Sequence, residues 1–134
     1  MNLHFNDVSA AIDRYMDILR IDPLHDKASI DLFMIYHGRH EYEKALMTLE
    51  QRLELAPNTA VYCNAGICYD LLGDKQKALE LYDKGIELNP NEFFILNNRS
   101  AIRRVFDDYE NGIKDAVRAT TANPNFAQIG RAHV

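Results

Sequence analysis

Few residues in this 134-residue chain combine type and spacing in a way that could do chemistry. His37, His40 and Glu41 stand together at a turn, and ring nitrogens three apart on a helix can converge on one metal ion. No fourth ligand accompanies them, so a solvated turn is the expected setting and no metal site is assigned. Cys63 and Cys68 lie five apart on one predicted helix and point in different directions, which excludes a disulfide or redox pair. Phosphate-loop, dinucleotide and nucleophile-elbow signatures are missing, and the six glycines are scattered. Asp107-Asp108 reads as a helix cap. No catalytic residue and no cofactor is implied, and the chain is expected not to be an enzyme.

The composition narrows the alternatives. Fifteen Lys and Arg against 20 Asp and Glu leave a net charge of −5, which argues against a nucleic-acid partner. No apolar run approaches the roughly 20 residues that span a bilayer. Met1 to Asp7 lacks the basic start and apolar stretch of a signal peptide, so a cytoplasmic location and no membrane partner are expected. Two cysteines cannot make a disulfide framework.

The elements that would position any functional side chain are set by a period. Pro23, Pro57, Pro90 and Pro124 are separated by 34, 33 and 34 residues. Twelve positions before each stands a small residue: Ala11, Ala45, Ala78 and Gly112. The segments between carry apolar residues at helical spacing, such as Ala78, Leu81, Tyr82 and Ile86, and each stops before a proline that cannot continue a helix. First helices are predicted upstream over 26–37, 59–72 and 93–106, joined through Gly38 to Glu41, Gly73-Asp74 and Asp107-Asp108. The unit is helix, short turn, helix, proline.

This pattern resembles the tetratricopeptide repeat, whose signature runs Trp-x2-Leu-Gly-x2-Tyr, Ala-x3-Phe, Pro. Tyr62, Ala65-Gly66, Tyr69, Ala78, Tyr82 and Pro90 occupy those places in the central unit. The preceding unit matches at Tyr36, Ala45 and Pro57, and the last at Gly112 and Pro124. Phe33 and Arg103 depart from the pattern, being bulky and charged where small and aromatic residues belong, so the outer units are expected to pack more loosely. The resemblance implies an all-α fold: an α-solenoid of antiparallel helix hairpins, a right-handed superhelix of about seven helices. The expected organisation is 1–25 as the second helix of a truncated repeat, repeats at 26–58, 59–92 and 93–124, and a stub at 125–134. Half a repeat at one end and a stub at the other indicate a fragment of a longer array. The last six residues, 129–134, match the translation of a common library adapter and are read as a non-native tail.

By similarity to that family, the chain is a non-catalytic protein-interaction scaffold that binds a peptide or partner helix in a groove lined by the first helices. The inward places fall on Ile30, Asp31, Met34 and His37, on Cys63, Asn64, Ile67 and Asp70, and on Asn97, Asn98, Ala101 and Arg104. Asp31, Asn64 and Asn98 share one column, and an amide ladder at repeat spacing can clamp the main chain of an extended peptide. Asn98 also resembles one residue of the carboxylate clamp of chaperone cofactors, which bind acidic C-terminal peptides. The other clamp places, Cys63 and Ile67, do not match. Arg104 and Arg99 are the candidate partners for a ligand carboxylate. Two further expectations are a recruiting arm of a larger enzyme, such as a glycosyltransferase, and self-association through exposed terminal helix faces, with Ile12, Tyr15, Met16 and Leu19 uncovered at one end.

Overall fold

The computed structural model describes the backbone of residues 3–123 and side chains from Asp7 onward; Pro124 and the expected stub at 125–134 lie outside the described residues. All regular structure among the described residues is α-helical. The helices are α1 (Leu3–Ile21), α2 (Asp26–Gly38), α3 (Tyr42–Met47), α4 (Glu50–Leu55), α5 (Thr59–Leu71), α6 (Lys75–Leu88), α7 (Phe93–Val105) and α8 (Tyr109–Ala122).

Eight helices stand where about seven were expected, because one second helix is divided at Thr48-Leu49. The Thr48 hydroxyl donates to the Ala45 carbonyl at 2.7 Å, and the amides of Thr48 and Leu49 bond three residues back instead of four. A hydroxyl that competes for a backbone carbonyl tightens the turn and ends the α-helical ladder. At the other end, α1 begins well upstream of Ala11 and forms one 19-residue helix.

The period is also written in the backbone. Each complete first helix begins on a side-chain cap: His25 Nδ1 accepts from the Ala28 amide, Asn58 Oδ1 from Val61 and Glu92 Oε2 from Ile95, at 3.1, 2.9 and 2.7 Å. Each cap satisfies an amide that the helix itself leaves unpaired. Each hairpin then turns on one left-handed residue, His40 (φ 60°), Gly73 (φ 94°) or Asp107 (φ 62°). Glycine adopts that region without strain, whereas His40 and Asp107 each have the hydroxyl of a tyrosine two residues on, Tyr42 or Tyr109, within hydrogen-bond distance of the side chain.

The helices form two compact units, Met1–Pro57 and Asn58–Val134. In the first, α2 packs against α1 and α3. Ala28, Leu32, Phe33, Ala45 and Leu49 are buried, and Arg52 is buried beside Asp26 and Ser29. In the second, α5 pairs with α6, α7 pairs with α8, and α7 also packs on both α5 and α6. Cys63, Ala78, Tyr82, Ile95 and Ile102 form the buried cluster there, with Ile67, Tyr69, Leu79 and Ile86 against it. Gly66 leaves room for the Tyr82 ring, since a Cβ at this position would lie 2.4 Å from its Cε1.

Candidate partner-binding surface

The first-helix faces carry the polar groups that could meet a ligand. Asn64 on α5 and Asn98 on α7 are half-buried, Asn97 and Ala101 are exposed, and Ile67 lies at the edge of the buried cluster. The Asn64 side chain makes no hydrogen bond to another described residue, so its amide keeps both donor and acceptor capacity. Asn98 is partly engaged. The Tyr82 hydroxyl beneath it is buried without a partner of normal geometry, and burial raises its pKa while the Asn98 side chain pulls it back down. Met34 on α2 is exposed, and Tyr36 is half-buried with the Lys44 ammonium 5.9 Å above its ring. Pro57 and Pro90 lie exposed in the connecting loops.

Asp31 has internal partners. Its Oδ2 accepts from the Tyr15 hydroxyl and from Lys27 Nζ, each at 2.9 Å, tying α1 to α2. Lys27 first and Tyr15 second hold the carboxyl below the ordinary aspartate pKa. A group whose folded pKa is depressed adds stability that is complete above the unfolded pKa of about 4 and is lost as pH falls through the folded pKa. Asp31→Asn is therefore expected to lower the midpoint of thermal unfolding slightly at pH 7. The difference from the parent chain should shrink below pH 3. Melts at the two pH values, followed by circular dichroism, check this, and a difference independent of pH would contradict it.

Several expectations change in the structure. Cys63 does not reach a groove, because it is only 8% exposed within the α5–α7 cluster. Burial, with the Glu92 carboxylate adding to it, pushes its thiol up to about 12. Cys68 is fully buried as expected, its thiol raised to about 11 by burial. Phe33 is buried despite its bulk and stacks on His37 with ring centroids 5.6 Å apart. His37 also meets the edge of Tyr42, and His40 Nδ1 lies 2.6 Å from the Tyr42 hydroxyl, so aromatic neighbours occupy the turn. On α1, Ile12, Tyr15 and Leu19 are half-buried and Met16 is exposed. Met16 and Leu19 border an apolar cleft of about 540 Å³ with Leu32, Tyr36 and Met47.

The largest correction concerns Arg99. It is buried and spent on the chain's own carboxylates: Nε and Nη2 grip both oxygens of Asp115 at 2.9 and 2.8 Å, and Nη1 reaches Asp83 at 2.9 Å. Arg103 completes the cluster at 2.7 Å from Asp115. Desolvation alone would lower the Arg99 pKa, but the two carboxylates outweigh it and raise it. Arg103 thus fills the aromatic place with an ion pair. Asp115 was not singled out from the sequence, although a signal was present. Relative to Ala65, Tyr69 and Leu81 one period earlier, Arg99, Arg103 and Asp115 introduce two cations and one anion on facing helices together. Arg104, by contrast, is exposed and carries no ion pair among the described residues.

Each complete hairpin thus begins on a side-chain cap and turns on a left-handed residue, and the central one closes Gly66 against the Tyr82 ring. The sequence profile of the tetratricopeptide repeat matches residues 59–92, the α5–α6 hairpin and its flanks. Residues 59–92 are a tetratricopeptide repeat. The chain is 36% identical to the photosystem I assembly protein Ycf3 of Rippkaea orientalis over 63% of this chain and 54% of that protein. It is 37% identical to the tetratricopeptide repeat-containing protein MJ1345 of Methanocaldococcus jannaschii over 45% of this chain and 18% of that one. The chain therefore spans about half of the first relative and less of the second. Among solved tetratricopeptide structures, MamA superposes with a TM-score of 0.80 at 17% identity, covering 95% of this chain and 75% of that one. YrrB, described as having an unusual peptide-binding site, gives 0.76 at 18% identity over 95% and 66%. These likenesses establish an all-α, tetratricopeptide-type fold of helical hairpins. No helix among the described residues is long and apolar enough to cross a membrane.

Proposed function

We propose that this chain is a non-catalytic interaction module that holds an extended segment of a protein partner against the first helices α5 and α7. The observation that carries the reading is the pair Asn64 and Asn98, at equivalent places on two helices that pack together, with the Asn64 amide free to bond a ligand. Side-chain amides at repeat spacing bond peptide N–H and C=O groups whatever the side chains of the ligand. The Rippkaea orientalis relative is named an assembly protein, and a surface that holds a segment of a partner suits such work.

Peptides selected by phage display on the parent chain provide the test. Asn64→Ala combined with Asn98→Ala is expected to weaken the selected peptides about tenfold or more, since each net hydrogen bond contributes about 0.5–1.5 kcal/mol. Helix content should stay unchanged. Equal affinity of the double variant, measured by calorimetry, would place the site elsewhere.

A further inference from the structure

In each unit one first helix is flanked by two second helices, α2 by α1 and α3, and α7 by α6 and α8. The side chains along these two seams differ in kind. In Asn58–Val134 the seam is filled by ions: Asp83 of α6, Arg99 and Arg103 of α7, and Asp115 of α8. Moved back by two periods, as from Pro90 to Pro23, those positions become Met16, Leu32, Tyr36 and Thr48. None of the four carries a charge. The seam there is a cleft of about 540 Å³ bordered by Met16 and Leu19 of α1, Leu32 and Tyr36 of α2, and Met47 of α3. Its walls are three helices of one unit, so it lies within the packed helices and not at an end of them. Asp83, the counterpart of Met16, stays half open to water with its own first helix, α5, packed on α6. A first helix paired with α1 in the same way would therefore leave the Met16 side of the cleft open.

We infer that this cleft is a binding site for a small organic anion, a compact apolar body carrying one carboxylate, of which a medium-chain fatty acid is the simplest member. Size selects the class. Sites for small molecules measure roughly 300–1,000 Å³, and each wall here is short. Met16 to Arg20, Leu32 to Tyr36 and Lys44 to Thr48 each advance four residues, about 6 Å. A partner helix anchored at i, i+4 and i+7 needs about 10 Å of groove, more than any wall offers. Met16 and Met47, 46% and 65% exposed, are unbranched and can fold over an apolar body. The rim supplies the sign of the charge, because Arg20 and Lys44 border the cleft and no carboxylate among the described residues does. Each cation has a carboxylate three residues back, Asp17 at 2.9 Å and Glu41 at 3.4 Å. Exposed pairs of that spacing are weak, so a ligand carboxylate can share the cation or displace the partner. The second helix is also divided at this place. The amides of Thr48 and Leu49 bond three residues back, a tighter turn that often marks a hinge within a helix and lets the Met47 wall adjust.

The full 134-residue chain, labelled with carbon-13 at its methionine methyls, provides the test by nuclear magnetic resonance. Decanoate, kept below its micellar concentration, is expected to shift the Met16 and Met47 methyls saturably and to leave Met34 in place, since Met34 is exposed on α2 but does not border the cleft. Decylammonium, of equal chain length and opposite charge, should bind about threefold or more weakly, the order of an exposed charge pair. Met47→Glu, with Met16 kept as reporter, should weaken decanoate about tenfold or more, because it puts a carboxylate into the apolar lining. Arg20→Glu should narrow or reverse the preference for decanoate, and this exposed position keeps the test valid should Met47→Glu perturb folding. The Asn64→Ala, Asn98→Ala double variant should bind decanoate as the parent does, which separates this cleft from the peptide surface. No saturable shift, equal shifts at Met34, or equal affinity for the two charges would overturn the proposal. So would selected peptides that shift Met16 and Met47 and that decanoate does not displace, since the cleft would then belong to a protein partner.

Discussion

Asp115→Ala is expected to destabilise the α5–α8 unit by about 3 kcal/mol, the lower part of the range for breaking a buried pair by removing one partner. The loss is large because the side chain that disappears is 5% exposed and neutralises two guanidiniums, those of Arg99 and Arg103. Arg99 would keep Asp83, whose carboxylate is half open to water, so the residual pair compensates only in part. Urea unfolding followed at 222 nm measures the change. The repeat itself supplies a control. Arg99→Ala, Arg103→Tyr and Asp115→Leu together restore the apolar residues that stand one period earlier at Ala65, Tyr69 and Leu81. This triple variant should recover most of the loss, because well-packed apolar groups often equal or exceed a buried ion cluster in stability. A cost below about 1 kcal/mol for Asp115→Ala would show that the cluster is not what holds α7 to α8.

Gly66→Leu is expected to cost about 3 kcal/mol, at the upper end of the usual penalty for overpacking. A Cβ there would lie 2.4 and 2.8 Å from two ring atoms of Tyr82, a fully buried side chain at the centre of the α5–α7 cluster. The ring cannot swing aside without displacing Ala78, Ile95 and Ile102, which share its cluster. Tyr82→Ala made together with Gly66→Leu should cost less than the sum of the two single changes, since the cavity accepts the new side chain. Additive losses in denaturant melts would contradict the contact. Gly38→Ala is the matched comparison: nothing lies within 4 Å of the new methyl, and stability should hold or rise.

How much was legible in advance follows the range of the interactions. The small residues before each proline, the apolar stripes of the second helices and the turn residues are local signals. Each reports backbone preference over one or two helical turns, and the first helices α2, α5 and α7 appeared within a residue of their expected ends. The division at Thr48-Leu49 was also local but subtler, one hydroxyl competing with one carbonyl. Cys63 was misplaced because its exposure depends on whether a later helix covers it, and α7 does.

The sequence by itself determined the period, the hairpin order and the family, because helix propensity, proline breaks and repeat spacing act along the chain and need no knowledge of what packs where. Only the tertiary structure decided which side chains of the expected surface remain available. It turned Arg99 and Arg103 inward onto Asp115, gave Asp31 to Tyr15 and Lys27, buried Cys63, and left Asn64 and Arg104 open. The physical reason is that burial and the pairing of buried charges come from other helices, as with Arg103 and Arg99, 12 and 16 positions from Asp115, and one charge is stable inside only when its partner is there to meet it.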